Sequence, residues 1–192
     1  MLTADKPVRT MDLANQSMLG LPRAALAALR AALYRDAGPA AASYLQEAGY
    51  AGGETLFASF REWLAGRGEA SPESLPLPRF ESLATGYFRE AGWGSLGVSS
   101  LRSAVAVLDS PDWGEADPSS GMDAPACHFT TGMFADFFGR IADAPLAVLE
   151  VECRSAGAKR CRFLVGNADV MEHVYDTMGR GEGYDAALSE VE

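Results

Sequence analysis

The apolar residues of this chain change their period once, near Gly92, and that change decides which folds are open to it. Up to Gly92 they recur every three or four positions: Leu26, Leu29 and Leu33, then Leu56, Phe60, Trp63 and Leu64, then Phe80, Leu83, Tyr87 and Phe88. That is the spacing of amphipathic helices. Beyond it come short runs bounded by turn residues, residues 94–98 and the β-branched 103–108, which read as paired strands. A helix over 126–141 follows, with Phe129, Met133 and Phe137 stacked at intervals of four. Strands over 146–153 and 160–165 meet across the turn Ser155–Ala158, and Asn167 caps a last helix through Met178. Helices, two strands, a helix, two strands and a helix make an α+β domain, an antiparallel sheet packed against helices.

Within the N-terminal half, Pro22 stands at the first position of a helix that Gly38-Pro39 ends. A second helix is expected over 40–48, closed by Gly49, and a third between Gly52-Gly53 and Gly66. Residues 1–20 read as an arm and 68–78 as a linker loop. Residues 110–125 form a long polar loop of the functional or mobile kind. Gly132 and Gly139 lie inside the aromatic helix, where each costs about 1 kcal/mol against Ala, so a neighbouring backbone is expected close by. A chain of 192 residues suits one compact body. Residues 1–92 are read as a helical part packed on the same core as 93–192.

The chain carries 16 basic and 26 acidic residues, a net charge of −10. Such a field repels nucleic acid and anionic membrane surfaces, so neither is an expected partner. No apolar run reaches the length of about 18 that a membrane span needs. The first residues lack a basic stretch leading into an apolar one, which points to a cytoplasmic protein. Chemistry-bearing signatures are equally sparse. There is no P-loop, no GxGxxG between strand and helix, and no nucleophile elbow.

What stands out is the placing of the cysteines. The chain has three, Cys127, Cys153 and Cys161, an odd number that argues against a disulfide framework. Cys127 opens the aromatic helix, while Cys153 and Cys161 face each other across a hairpin. With Glu150 they offer four donors suited to a closed tetrahedral Zn²⁺ site. Glu150 and Cys153 have opposite parity, so a regular strand would point them to opposite faces; a bulge or an early strand end is required. Arg154, Lys159, Arg160 and Arg162 crowd the same hairpin and could offset the charge of such a site. From spacing alone, metal ligands and plain core thiols stand side by side.

The run Cys127-His128-Phe129-Thr130-Thr131-Gly132, then Glu150-x-x-Cys153, Gly157 and Cys161-Arg162-Phe163, resembles the 4-vinyl reductase domain. The tail from Gly181 to Leu188 fits as well, so the likeness spans about Gly94 to Leu188. In that family the corresponding Cys, Glu, Cys and Cys resemble a structural zinc site, and the intervals here of 23, 3 and 8 residues match it. The resemblance implies zinc bound by Cys127, Glu150, Cys153 and Cys161. It also implies a fold similar to vesicle-tethering TRAPP subunits and to sensor domains for nitric oxide and small ligands.

A closed site leaves no position for an activated water, so zinc hydrolysis is not expected and no catalytic residue is assigned. His128 reads as a donor behind Cys127 or as a half-exposed helix-start residue, and His173 as a surface residue rather than a haem ligand. Trp93, Phe129, Met133, Phe134, Phe137, Tyr175 and Met178 are the candidate lining of a ligand pocket; an ordinary core is the competing account. The resemblance adds that relatives hold aromatic or hydrophobic molecules between helices and sheet, as phenol-responsive regulators do. No His precedes position 128, so a histidine reader of a phenolic hydroxyl from the upstream half is missing. The expected function is a stand-alone small-molecule sensor, a homodimer with a regulatory protein partner. The alternative is an enzyme or tetrapyrrole carrier of bacteriochlorophyll synthesis, against which stands the lack of anything resembling a nicotinamide or flavin site.

Overall fold

The computed structural model describes residue 13 and residues 16–102 and 105–189. Most of the expected N-terminal arm and the start expected for the second strand, residues 103–104, lie outside that range. The elements in order are α1 (Arg23–Ala37), α2 (Ala40–Ala65), α3 (Leu77–Glu90), β1 (Gly97–Arg102), β2 (Val105–Ser110), α4 (His128–Ala142), β3 (Ala147–Glu152), β4 (Cys161–Gly166), α5 (Ala168–Gly179) and α6 (Tyr184–Ser189). The four strands form one antiparallel sheet in the order β1-β2-β4-β3. Asn167 caps α5 as expected, its side chain accepting from the Asp169 N–H at 2.8 Å. The short helix α6 was not expected.

Strand alternation sorts the core into two layers. Val98, Leu108, Phe163 and Val165 point toward α2, α3 and α4 and join the aromatic core there. Val105, Val107, Val151 and Leu164 point the other way and are covered by Met171, Val174, Ala187 and Leu188 of α5 and α6. Phe60, Tyr87, Phe88, Trp113, Phe134, Phe137 and Phe163 are fully buried, with ring centroids of neighbours 5.0–6.4 Å apart. Edge-to-face and tilted pairings dominate, as the ring quadrupole favours.

The break expected at Gly49 and Gly52-Gly53 is absent, because α2 runs unbroken from Ala40 to Ala65. These glycines serve close packing. A Cβ on Gly49 would lie 2.0 Å from the Phe129 carbonyl oxygen, and one on Gly53 2.6 Å from Asp136. On the facing helix, a Cβ on Gly132 would lie 2.0 Å from the Gln46 carbonyl oxygen. So α2 and α4 cross backbone to backbone, and the approach anticipated at Gly132 has α2 as its neighbour. Gly52 has open space around its Cβ position. Gly132→Ala should therefore cost about 3 kcal/mol through forced separation of two backbones. Gly52→Ala should gain about 1 kcal/mol, because helix propensity alone is changed. Urea unfolding of the two variants checks the opposite signs.

Candidate metal centre and cavities

Cys127 occupies the N-cap of α4, Glu150 lies on β3, Cys153 directly follows that strand and Cys161 opens β4. The parity conflict is resolved by a bulge. Glu150 pairs with Phe163 but Glu152 pairs with Arg162, so β3 carries one extra residue, Val151. Past the bulge, Cys153 returns to the face of Cys161 and Phe163, which is also the face of Glu150. The N-terminus of α4 descends onto the same corner.

One donor atom from each of the four residues lies within 4.8 Å of every other, and all four residues are buried. Cys127 Sγ is 3.8 Å from Cys153 Sγ and 3.9 Å from Cys161 Sγ, and no disulfide joins them. A tetrahedral ion with metal–sulfur bonds of about 2.3 Å sets its thiolates about 3.8 Å apart. Glu150 Oε2 accepts the Cys127 N–H at 2.8 Å, while its Oε1 is buried with no hydrogen-bond partner. Burial, and then the charge of Cys153, push the Glu150 carboxyl up to about 9. A carboxylate and thiolates held this close stay ionised together only around a cation. Three soft donors, one oxygen and an orphaned carboxylate oxygen fit a metal ion.

Two of the basic hairpin residues, Arg160 and Arg162, turn away from this cluster. Arg162 donates to both carboxylate oxygens of Asp109 at 2.7 and 2.8 Å, and Arg160 pairs with Glu152 at 2.9 and 3.0 Å. Strand parity puts Arg162 on the face opposite Cys161, where it also meets the Tyr184 hydroxyl. Their charge is matched by carboxylates of the outer layer.

Two residues that sequence reasoning passed over build the floor of the corner. Arg30 of α1 and Glu115 are both buried, with Arg30 Nε 3.4 Å from Glu115 Oε1. Arg30 also donates to the carbonyl oxygens of Glu115 and Ala126. Glu115 in turn accepts the Phe129 and Thr130 N–H groups at 3.1 and 2.8 Å and the Thr130 hydroxyl at 2.6 Å. It thus satisfies the free donors of the first turn of α4, just after Cys127. Burial raises the Glu115 carboxyl, and Arg30 pulls against that rise. The loop 110–125 is therefore a packed strap, with Trp113 fully buried and its indole N–H donating to Thr130 Oγ1 at 2.7 Å. His128 lies beside Tyr34, ring centroids 6.4 Å apart, and burial lowers its pKa.

The candidate pocket residues do not converge on one cavity. Phe134 and Phe137 are fully buried in ring contacts, and Met133 is buried in the same core. Trp93 stacks between Trp113 and Phe129 at centroid distances of 5.6 and 5.9 Å. Tyr175 and Met178 belong to α5, beyond the sheet edge, and line a different space. An apolar cavity of about 470 Å³ opens instead between α3, the far end of α4 and the sheet. Leu75, Phe80, Ala106, Leu108, Phe138 and Val165 are among its lining, and its polar side chains are Glu73, Ser100 and Asn167. Phe134 and Phe137 stand behind Phe138 at 5.4 and 5.1 Å. Cys161 and Val165 share a face of β4, so cluster and cavity stand about 13 Å apart along that strand.

A family model, that of the 4-vinyl reductase domain, matches residues 117–167, the stretch that holds the whole four-residue cluster. The match is shorter than the likeness read from the sequence, which spans about Gly94 to Leu188. Among solved structures, one similar fold is the phenol-responsive sensory domain of the transcription activator PoxR, determined with phenol. It is 16% identical, with a TM-score of 0.61 over 78% of this chain and 76% of that one. Another is a vinyl-4-reductase family protein from Methanocaldococcus jannaschii, also 16% identical, with a TM-score of 0.52 over 80% of this chain and 88% of that one. Both share the mixed architecture of helices and antiparallel sheet. No curated protein sequence matches significantly.

Proposed function

We propose that this chain is a small-molecule sensor domain that takes an apolar ligand into the cavity between α3, α4 and the sheet. The cavity itself carries the reading: about 470 Å³ walled by aliphatic and aromatic side chains, within the usual size of small-molecule sites. The likeness to a sensory domain that binds phenol supports it. The ligand is hydrophobic or aromatic, because the three polar lining residues leave little to hydrogen-bond a polar one. Phenol itself is disfavoured for want of a histidine in that wall.

In the same reading Cys127, Glu150, Cys153 and Cys161 hold a structural zinc ion. Tetrahedral geometry and a sulfur-rich donor set favour zinc over magnesium or calcium. By fixing the first turn of α4 and the start of β4, the cluster would set two walls of the cavity without touching the ligand. The protein is read as a cytoplasmic homodimer passing its signal to a regulatory protein; among the described residues no helix is long and apolar enough to cross a membrane.

Thermal shifts with phenols, flat polycyclics, fatty acids and tetrapyrroles test the reading. At a hundredfold excess over Kd a true ligand should stabilise by about 2.7 kcal/mol. Ala106→Trp, which fills the cavity, should abolish that shift. Shifts only from charged or sugar-like compounds would sink the proposal, and turnover of a vinyl tetrapyrrole with NADPH would favour the enzyme reading. Light scattering on the same samples should give twice the chain mass of 20.3 kDa; the single mass would rule out the dimer.

A further inference from the structure

The sheet ends at β3, and the outer edge of that strand is open. A strand turns alternate N–H and C=O groups to either side, and β4 takes only one side of β3. Among the described residues, the main chain of 147–152 hydrogen-bonds to no element but β4. The opposite edge is partly closed, since Glu81 of α3 accepts the Val98 N–H at 3.3 Å. Along the open edge runs a groove made of two cavities, of about 550 and 330 Å³, that share Gln46, Thr131 and Val148. Val148 and Leu149 both line it, although strand alternation points them to opposite faces of the sheet. The groove therefore wraps the backbone edge instead of covering one face. Its walls are α2 and α4 on one side and α5 on the other.

The lining includes the exposed carboxylates of Glu47 and Asp176 and no lysine or arginine. Tyr50 and Tyr175 stand on its two walls, 55% and 66% exposed, large rings of the kind that anchors protein interfaces. We propose that this groove takes an extended, basic segment of a partner protein, which adds to β3 as a fifth strand. The free N–H and C=O groups of β3 supply the main-chain hydrogen bonds of such an addition. Glu47 and Asp176 attract lysine or arginine side chains of the segment, and the two tyrosines offer ring faces to the same cations. A second copy of this chain does not fit. Its own β3 lies at the floor of the same groove, behind α2 and α5, and its acidic rim would meet another acidic rim. The groove shares no lining residue with the apolar cavity between α3, α4 and the sheet, so docking here leaves that cavity free.

A fluorescein-labelled octapeptide of alternating valine and lysine, titrated with the full chain and followed by anisotropy, tests this. Saturable binding is expected, with hydrogen exchange slowed at the amides of 147–150. Methylating every backbone nitrogen of the peptide keeps its charges but removes its donors, and should weaken binding at least tenfold. The double variant Glu47→Lys/Asp176→Lys alters only exposed side chains and should also weaken it at least tenfold. Glu62→Lys, exposed and about 22 Å further along α2, should leave it unchanged. No saturable binding, equal binding of a valine–glutamate octapeptide, or an unchanged affinity of the double variant would overturn the basic partner. Equal binding of the methylated peptide, or unaltered exchange at β3, would overturn strand addition.

Discussion

Cys161→Ser is expected to yield protein that is insoluble or melts far below the wild type, while purified wild-type chain holds one equivalent of zinc without any being added. The size follows from where binding energy goes. Structural zinc contributes about 10–16 kcal/mol in small finger peptides, and an ordinary domain is stable by only about 5–15 kcal/mol. Even partial loss at a centre joining α4, β3 and β4 takes a large share of the margin. The loss is compounded because Cys127 and Cys153 then remain buried beside an unpaired Glu150 oxygen. Metal analysis of the wild type and melting of the variant are the measurements. Less than about half an equivalent of metal, or a variant with unchanged melting temperature, would make the cysteines plain core.

Arg30→Met carries the second large effect, about 3–5 kcal/mol, the usual result of removing one partner from a buried ion pair. Glu115 would keep its three hydrogen bonds at the first turn of α4 but lose the positive charge beside it. The deficit has a pH signature. Burial already raises the folded-state pKa of Glu115, and loss of Arg30 raises it further. A carboxyl raised on folding stabilises below its unfolded pKa and loses that contribution as pH rises through the folded value. The variant should thus be closer to wild type at pH about 5 than at pH about 8. Urea unfolding at both values checks this, and Glu115→Gln added to Arg30→Met should recover part of the loss. A deficit that does not change with pH would locate the cost in packing instead.

The sequence was most informative where one residue's neighbours in the chain are also its neighbours in space. The aromatic helix, the Cys153–Cys161 hairpin and the Asn167 cap are of this kind, and each appears within a residue or two of its expected place. Parity called for a bulge or an early strand end, and the structure has the bulge, at Val151. The single helix α2 was illegible because Gly49 and Gly53 read as breakers. Their reason for being glycine is Phe129 and Asp136, some 80 residues away. Arg30 and Glu115 were hidden for the same reason, since an arginine on a helix and a glutamate in a polar loop look solvated until the fold joins them across 85 positions. The candidate lining does not gather around one cavity, because Phe129, Met133 and Phe137 share a stripe with ordinary core. The space left beside that core is set by Phe80, Ala106 and Val165 from three other elements.

The hairpin that carries Glu150, Cys153 and Cys161 also bears on the order in which the chain assembles. Three of the four donors fall within the span 150–161, while the fourth is 26 positions from Cys153. Closing an eight-residue loop costs about 1 kcal/mol less than closing one of 26. Short loops also close within about 10–100 ns. The hairpin donors therefore meet first, and a metal ion captured there presents α4 with a fixed point to dock on. What holds the finished corner together is thus also suited to start it, so metal supply would govern how fast this domain folds as well as how well.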